Sequence, residues 1–111
     1  MLLEIARLIQ ENGIDIGVDF VLFDAEDNGD SGTGRNWCLG SKYWSKNPHK
    51  KGYTAEFGIL LDLVGAKNAE FGKEAFSMQS ASKYVNKIWD LATKMSYGNY
   101  FLDMNSGSVE D

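Results

Sequence analysis

Residues Phe23 to Gly32 read FDAEDNGDSG, and four carboxylates, Asp24, Glu26, Asp27 and Asp30, fall within seven residues of one another. Like charges at that density repel unless something cationic sits among them. The segment is therefore either a cation site or a solvated turn. Calcium is the first cation to weigh. A helix–loop–helix calcium loop needs oxygen ligands at positions 1, 3 and 5, glycine at 6 and a bidentate glutamate at 12. Counting from Asp24 puts Glu26, Asn28 and Gly29 in place, but position 12 is Arg35. A cation stands where the bidentate carboxylate is required. The preceding Gly-Val-Asp-Phe-Val-Leu-Phe is also strand-like where a helix should stand. Calcium is disfavoured on both counts.

The elements that must position these carboxylates follow from hydropathy. Leu2, Ile5, Ala6 and Ile9 recur at helical spacing and Asn12-Gly13 supplies a stop, predicting a helix over Leu2 to Glu11. Val18 to Asp24 is a near-continuous apolar run, the pattern of a strand covered on both faces, and Phe57 to Val64 is a second. Asn28 to Gly34 is a Gly/Asp/Ser loop. Trp37 to Ser45 reads as a short helix ended at Asn47-Pro48. Ser80 to Met95 reads as a helix with Ala81, Tyr84, Val85, Ile88, Trp89 and Ala92 on one stripe, and Tyr100 to Met104 as a third strand. Helix, strand, helix, strand, helix, strand argues for an α/β layered fold with a largely parallel sheet flanked by helices.

In such sheets ligands bind beyond the C-terminal ends of the strands. Asp24, Glu26 and Asp27 follow the first predicted strand, and Asp62 sits near the end of the second. A carboxylate inside Leu-Leu-Asp-Leu-Val is costly unless it is paired, caps backbone amides or binds a metal. Convergence of several carboxylates on one sheet edge favours function.

Composition excludes little but bounds the rest. The chain has 111 residues, 43% hydrophobic and 24% charged, enough for one domain with a modest core. Its net charge is -5, unlike a nucleic-acid binder with a basic stripe. The one basic cluster, Lys42, Lys46, His49, Lys50 and Lys51, reads as solvated surface. No apolar run reaches the roughly 18 residues of a membrane span, and Met1-Leu-Leu-Glu-Ile-Ala-Arg lacks the pattern of a signal peptide. The single Cys38 excludes an internal disulfide and reads as a small buried hydrophobe. Trp44, Tyr84, Trp89 and Phe101 read as packing residues, and only Trp37, just after the acidic loop, is placed to approach a substrate.

Four segments bring a family to mind. They are Asp19-Phe-Val-Leu-Phe-Asp-Ala-Glu26-Asp27, Trp37-Cys-Leu-Gly-Ser-Lys-Tyr-Trp44, Gly58-Ile-Leu-Leu-Asp62-Leu-Val-Gly-Ala-Lys-Asn68, and Tyr100 to Asp111. Across the whole chain these resemble the zinc aminopeptidase and glutaminyl cyclase superfamily. The Leu-Leu-Asp-Leu-Val-Gly-Ala-x-Asn segment is the most specific and favours bacterial glutaminyl cyclases of the animal type. The resemblance implies a zinc-exopeptidase-like fold, zinc as cofactor, and an enzyme that converts the N-terminal glutamine of a peptide to pyroglutamate with loss of ammonia. It implies Glu26 as general acid/base and Asp27 as a zinc ligand where the family often has Glu. It implies Asp62 as the third acidic residue, a second-metal ligand in dinuclear aminopeptidases or a hydrogen-bonded catalytic carboxylate in mononuclear cyclases. Asp24 would end the strand and support the turn. The glutamine side-chain carbonyl would be polarised by zinc, and Glu26 would carry a proton from the α-amine to the departing ammonia.

The resemblance is incomplete. The family's upstream His and bridging Asp have no counterpart here, and its downstream His would follow Val109-Glu110-Asp111. A catalytic zinc takes three protein ligands and an open position. Asp27 and Asp62 do not complete that set, and His49, the only histidine, reads as a surface-loop residue. Residues 1–111 are thus expected to be one partial domain, inactive alone or dependent on a partner. Uncovered sheet edges would favour a homo-oligomer. Alternative readings are a zinc aminopeptidase of the same superfamily and a non-catalytic piece with no metal site. By resemblance, an exported or envelope location in bacteria is expected.

Overall fold

A computed structural model of the chain describes residues 1–109. The chain divides into two compact units, Met1–His49 and the residues from Lys50 onward.

The first unit carries two helices. Helix α1, Leu2–Asn12, ends where Gly13 takes φ 69° and donates its N–H to the Ile9 carbonyl, a conformation open to glycine at little cost. Leu2, Ile5, Ala6 and Ile9 are the half-buried stripe, as their spacing predicts. Arg7 bridges Glu4 and Glu11 on the outer face, and its guanidinium holds the Glu4 carboxyl below the ordinary range. Helix α2, Leu39–Lys46, starts from Cys38 in a left-handed conformation.

The second unit is a βαβ element. Strand β1, Phe71–Lys73, leads through helix α3, Ala75–Lys94, to strand β2, Phe101–Asn105, which lies parallel to β1. Parallel strands require such a crossover. Glu74 opens α3 by accepting hydrogen bonds from the Phe76 and Ser77 amides at 2.9 and 2.6 Å. Those amides hold its carboxyl far down, to about 2. The buried apolar residues among those described, Val85 and Ala92, both lie on α3, and both belong to the predicted stripe. Trp89 packs edge-on against Phe101 with ring centroids 5.2 Å apart and donates its indole N–H to the Leu102 carbonyl at 2.9 Å. Phe71 meets Phe101 across the sheet, and Lys73 pairs with Asp103 at 2.6 Å.

Three expectations change. Residues 18–24 and 57–64 are not strands, since among the described residues neither run has a ladder partner. Leu22, Ile59, Leu60 and Leu63 are exposed where a doubly covered strand would bury them. A continuous apolar run records a demand for burial, whereas a strand also needs a neighbour to pair with. Helix α3 begins five residues before the predicted Ser80. The backbone kinks at Ala81 (φ -142°, ψ 29°), so the stripe belongs to the segment after the kink. Strand β1 escaped the sequence reading because it is three residues long with a glycine at its centre. The α/β class with parallel pairing stands.

Candidate functional site

The acidic segment is held against the start of α2 by three backbone hydrogen bonds. Cys38 donates to the Glu26 carbonyl at 3.0 Å, Leu39 to Ala25 at 3.1 Å, and Gly40 to Asp24 at 3.1 Å. The first turn of a helix has amides with no partner inside the helix, and here the acidic segment supplies carbonyls for them. The arrangement bends the chain sharply. Ala25 has φ 51°, Asn36 φ 67° and Cys38 φ 54°, all left-handed and costly for residues with a Cβ. Gly40 allows the close approach: a Cβ there would overlap the Asp24 carbonyl oxygen and lie 2.7 Å from Asp24 Oδ1 and 2.8 Å from its amide nitrogen.

Downstream, Asp30 is occupied by its own turn. Its Oδ1 accepts from the Gly32 amide at 2.8 Å and its Oδ2 from the Thr33 hydroxyl at 3.2 Å. Its amide donates to the Arg35 carbonyl at 3.0 Å, closing a short antiparallel bridge. The solvated-turn reading therefore describes Asp30. Trp37 lies over Gly29, where any Cβ would overlap its indole ring. That puts Trp37 against the acidic loop, as its sequence position suggests.

Glu26 and Asp27 are adjacent, exposed and in this clasped segment. Asp27 makes no hydrogen bond or ion pair among the described residues. Asp24 contributes through its backbone, and the stretch before it forms an open, mainly apolar groove of about 310 Å³ with Leu39, Tyr43 and Trp44. Trp44 stacks on His49, with centroids 6.1 Å apart and planes 19° apart, and meets Phe23 edge-on.

Asp62 belongs to the second unit. It is exposed, in a segment that is neither helix nor strand, so the burial cost expected from Leu-Leu-Asp-Leu-Val does not arise. Its neighbour Leu63 has φ 44° and is 90% exposed. Among the described residues no three His, Cys, Asp or Glu side chains gather as a metal site. These residues do not by themselves complete a catalytic zinc site, which takes three protein ligands. Glu110 and Asp111, where the expected downstream acidic stretch begins, lie outside the described residues.

Sequence reasoning missed the parts that hold the pair in place: Gly40, Gly29 and the left-handed Ala25. The glycines were visible as residues, but the close approaches that require them are set by tertiary contact.

The sequence matches the description "Peptidase family M28" over residues 1–110. The chain belongs to peptidase family M28. Solved structures agree. A Zn-dependent exopeptidase from Parabacteroides distasonis is 46% identical, with a TM-score of 0.91 over 99% of this chain and 39% of its own. A Porphyromonas gingivalis glutaminyl cyclase is 50% identical, with a TM-score of 0.90 over 99% of this chain and 40% of its own. A leucine aminopeptidase precursor from Bacteroides thetaiotaomicron is 44% identical, with a TM-score of 0.91 over 99% and 40%. The chain thus spans about two-fifths of the length of these relatives. No curated protein matches it. Among the described residues no helix is long and apolar enough to cross a membrane.

Proposed function

We propose that this chain carries the acid/base residue and one metal ligand of a zinc-dependent glutaminyl-peptide cyclotransferase, which acts on peptides with an N-terminal glutamine. The supporting observation is the adjacent Glu26–Asp27 pair, clasped to α2, in a chain 50% identical to a glutaminyl cyclase over 99% of its length.

Adjacent carboxylates can divide the work. One is neutralised by a metal and the other carries a proton. Asp27 takes the ligand role and Glu26 the proton. As the α-amine nitrogen bonds to the side-chain carboxamide carbon, Glu26 accepts a proton from that nitrogen. It returns the proton to the amide nitrogen as the old C–N bond breaks and ammonia leaves. Asp62 is assigned, by the family resemblance alone, the role of the third acidic residue. Zinc is the assigned metal, with its remaining ligands contributed from outside the described residues. Alone, the chain is inactive or depends on a partner that supplies them, and it self-associates through uncovered sheet edges. An exported or envelope location follows the same reading.

A second reading, a zinc aminopeptidase, is favoured by the 44% identity to a leucine aminopeptidase precursor. In that case Glu26 would act on a water molecule. A chimera separates the two. Residues 1–111 replace the matching segment of the Porphyromonas gingivalis glutaminyl cyclase, and the product is assayed on a glutamine-initiated peptide and on amino-acid anilides. Ammonia release with no anilide hydrolysis is expected. Anilide hydrolysis without cyclisation would replace the cyclase reading with the aminopeptidase one.

A further inference from the structure

We infer that Gly40 is a positioning residue for the Glu26–Asp27 pair, acting through the first turn of α2. The inference rests on the functional reading of that pair. Three observations carry it.

The acidic segment is fixed by backbone bonds that run in strict opposition, with Cys38, Leu39 and Gly40 donating to Glu26, Ala25 and Asp24. The backbone that leads into the Glu26–Asp27 pair is thus anchored to the main chain at the start of α2. A segment held only by its side chains could swing. Second, the pairing closes at Gly40, where a Cβ would strike the main chain of Asp24, at its carbonyl oxygen and 2.8 Å from its amide nitrogen. Backbone cannot rotate away as the tip of a long side chain can, so any larger residue must push the two segments apart. Third, Ala25 holds a left-handed φ of 51° between the outer bonds. A strained residue persists where its surroundings over-determine it, and the clasp on both sides of Ala25 does so. Releasing the Gly40 end would let Ala25 relax to an ordinary conformation, rotating the peptide that leads into Glu26.

Gly17 supplies the contrast. It lies in the same unit, and a Cβ there meets nothing within 4 Å. Gly40→Ala and Gly17→Ala make the same chemical change, one against the clasp and one away from it.

The test has two readouts. Amide exchange at Cys38, Leu39 and Gly40, followed by nuclear magnetic resonance in the full 111-residue chain, reports the clasp. Zinc affinity of the cyclase chimera, which supplies the remaining ligands, measured against a competing chelator, reports the pair. In Gly40→Ala, exchange at those amides should speed at least tenfold. In the chimera carrying Gly40→Ala, zinc affinity should fall roughly ten- to a hundredfold, the range typical of lost support for a metal ligand. Amides within α3 should keep their protection, showing that the second unit is still folded. Gly17→Ala should match the unmodified chain in both readouts. Unchanged exchange and unchanged zinc response in Gly40→Ala would overturn the positioning role. So would faster exchange with an unchanged zinc response, because the clasp would then serve local folding only. If Asp27→Ala leaves the zinc affinity of the chimera unchanged, the metal reading of the pair fails, and the role assigned to Gly40 fails with it.

Discussion

The βαβ element of the second unit and the acidic segment of the first are held by different interactions. In the former, side chains make the long-range links. Trp89 meets Phe101 edge-on and bonds the Leu102 carbonyl, Phe71 meets Phe101, and Lys73 pairs with Asp103. In the latter, backbone meets backbone, glycines admit the contact and non-glycine residues take left-handed conformations. Aromatic packing tolerates small shifts. A backbone clasp with no room for a Cβ does not. The same chain thus uses apolar packing for stability and main-chain geometry for placement.

Breaking the packed region should have the largest effect. Trp89→Ala removes an edge-on ring contact and a hydrogen bond, and should cost about 3 kcal/mol in urea unfolding followed by far-ultraviolet circular dichroism. Exchange at the Gly40 amide under native conditions should change little, since no bond of the clasp involves α3. Next comes the loop itself. Gly29→Ala drives a methyl into the Trp37 ring and should cost about 2 kcal/mol, with tryptophan fluorescence shifting to longer wavelength as Trp37 is displaced. The effect on α3 should be smaller than that of Trp89→Ala.

The third prediction sharpens the comparison through pH. The Phe76 and Ser77 amides hold the Glu74 carboxyl at about 2, below its ordinary 4.5. A carboxyl depressed in the folded state adds stability above its unfolded value, and that stability fades as pH falls toward the folded value. The thermal midpoint of the second unit should therefore drop on going from about pH 6 to about pH 3, and Glu74→Gln should flatten that dependence while starting from a lower midpoint. The acidic segment should show no matching loss through Glu74, which caps only α3.

Much of the fold was legible in the sequence where periodicity carries it. The half-buried stripe of α1 and the stripe of α3 around Val85 and Ala92 followed from spacing, and the strand expected over Tyr100 to Met104 stands one residue later, at Phe101–Asn105. The acidic pair was legible as a local excess of charge, and its resemblance to one family matched the family found over residues 1–110. What could not be read depends on partners distant in sequence. Residues 18–24 and 57–64 have the composition of strands but no neighbouring strand among the described residues. The N-cap Glu74 uses a residue type outside the usual Ser, Thr, Asp and Asn set, and the Ala81 kink separates it from the regular stripe. Gly40 looks like any glycine until Asp24 is placed against it.

The most direct test of the account separates the roles of Glu26 and Asp27 in the cyclase chimera, by zinc content and ammonia release measured side by side. Asp27→Ala should lose zinc, with affinity down at least about tenfold. Glu26→Gln should keep about one zinc per molecule while ammonia release falls by roughly a hundredfold or more, the scale of a lost general acid–base group. Full zinc retention in Asp27→Ala, or an undiminished rate in Glu26→Gln, would contradict it.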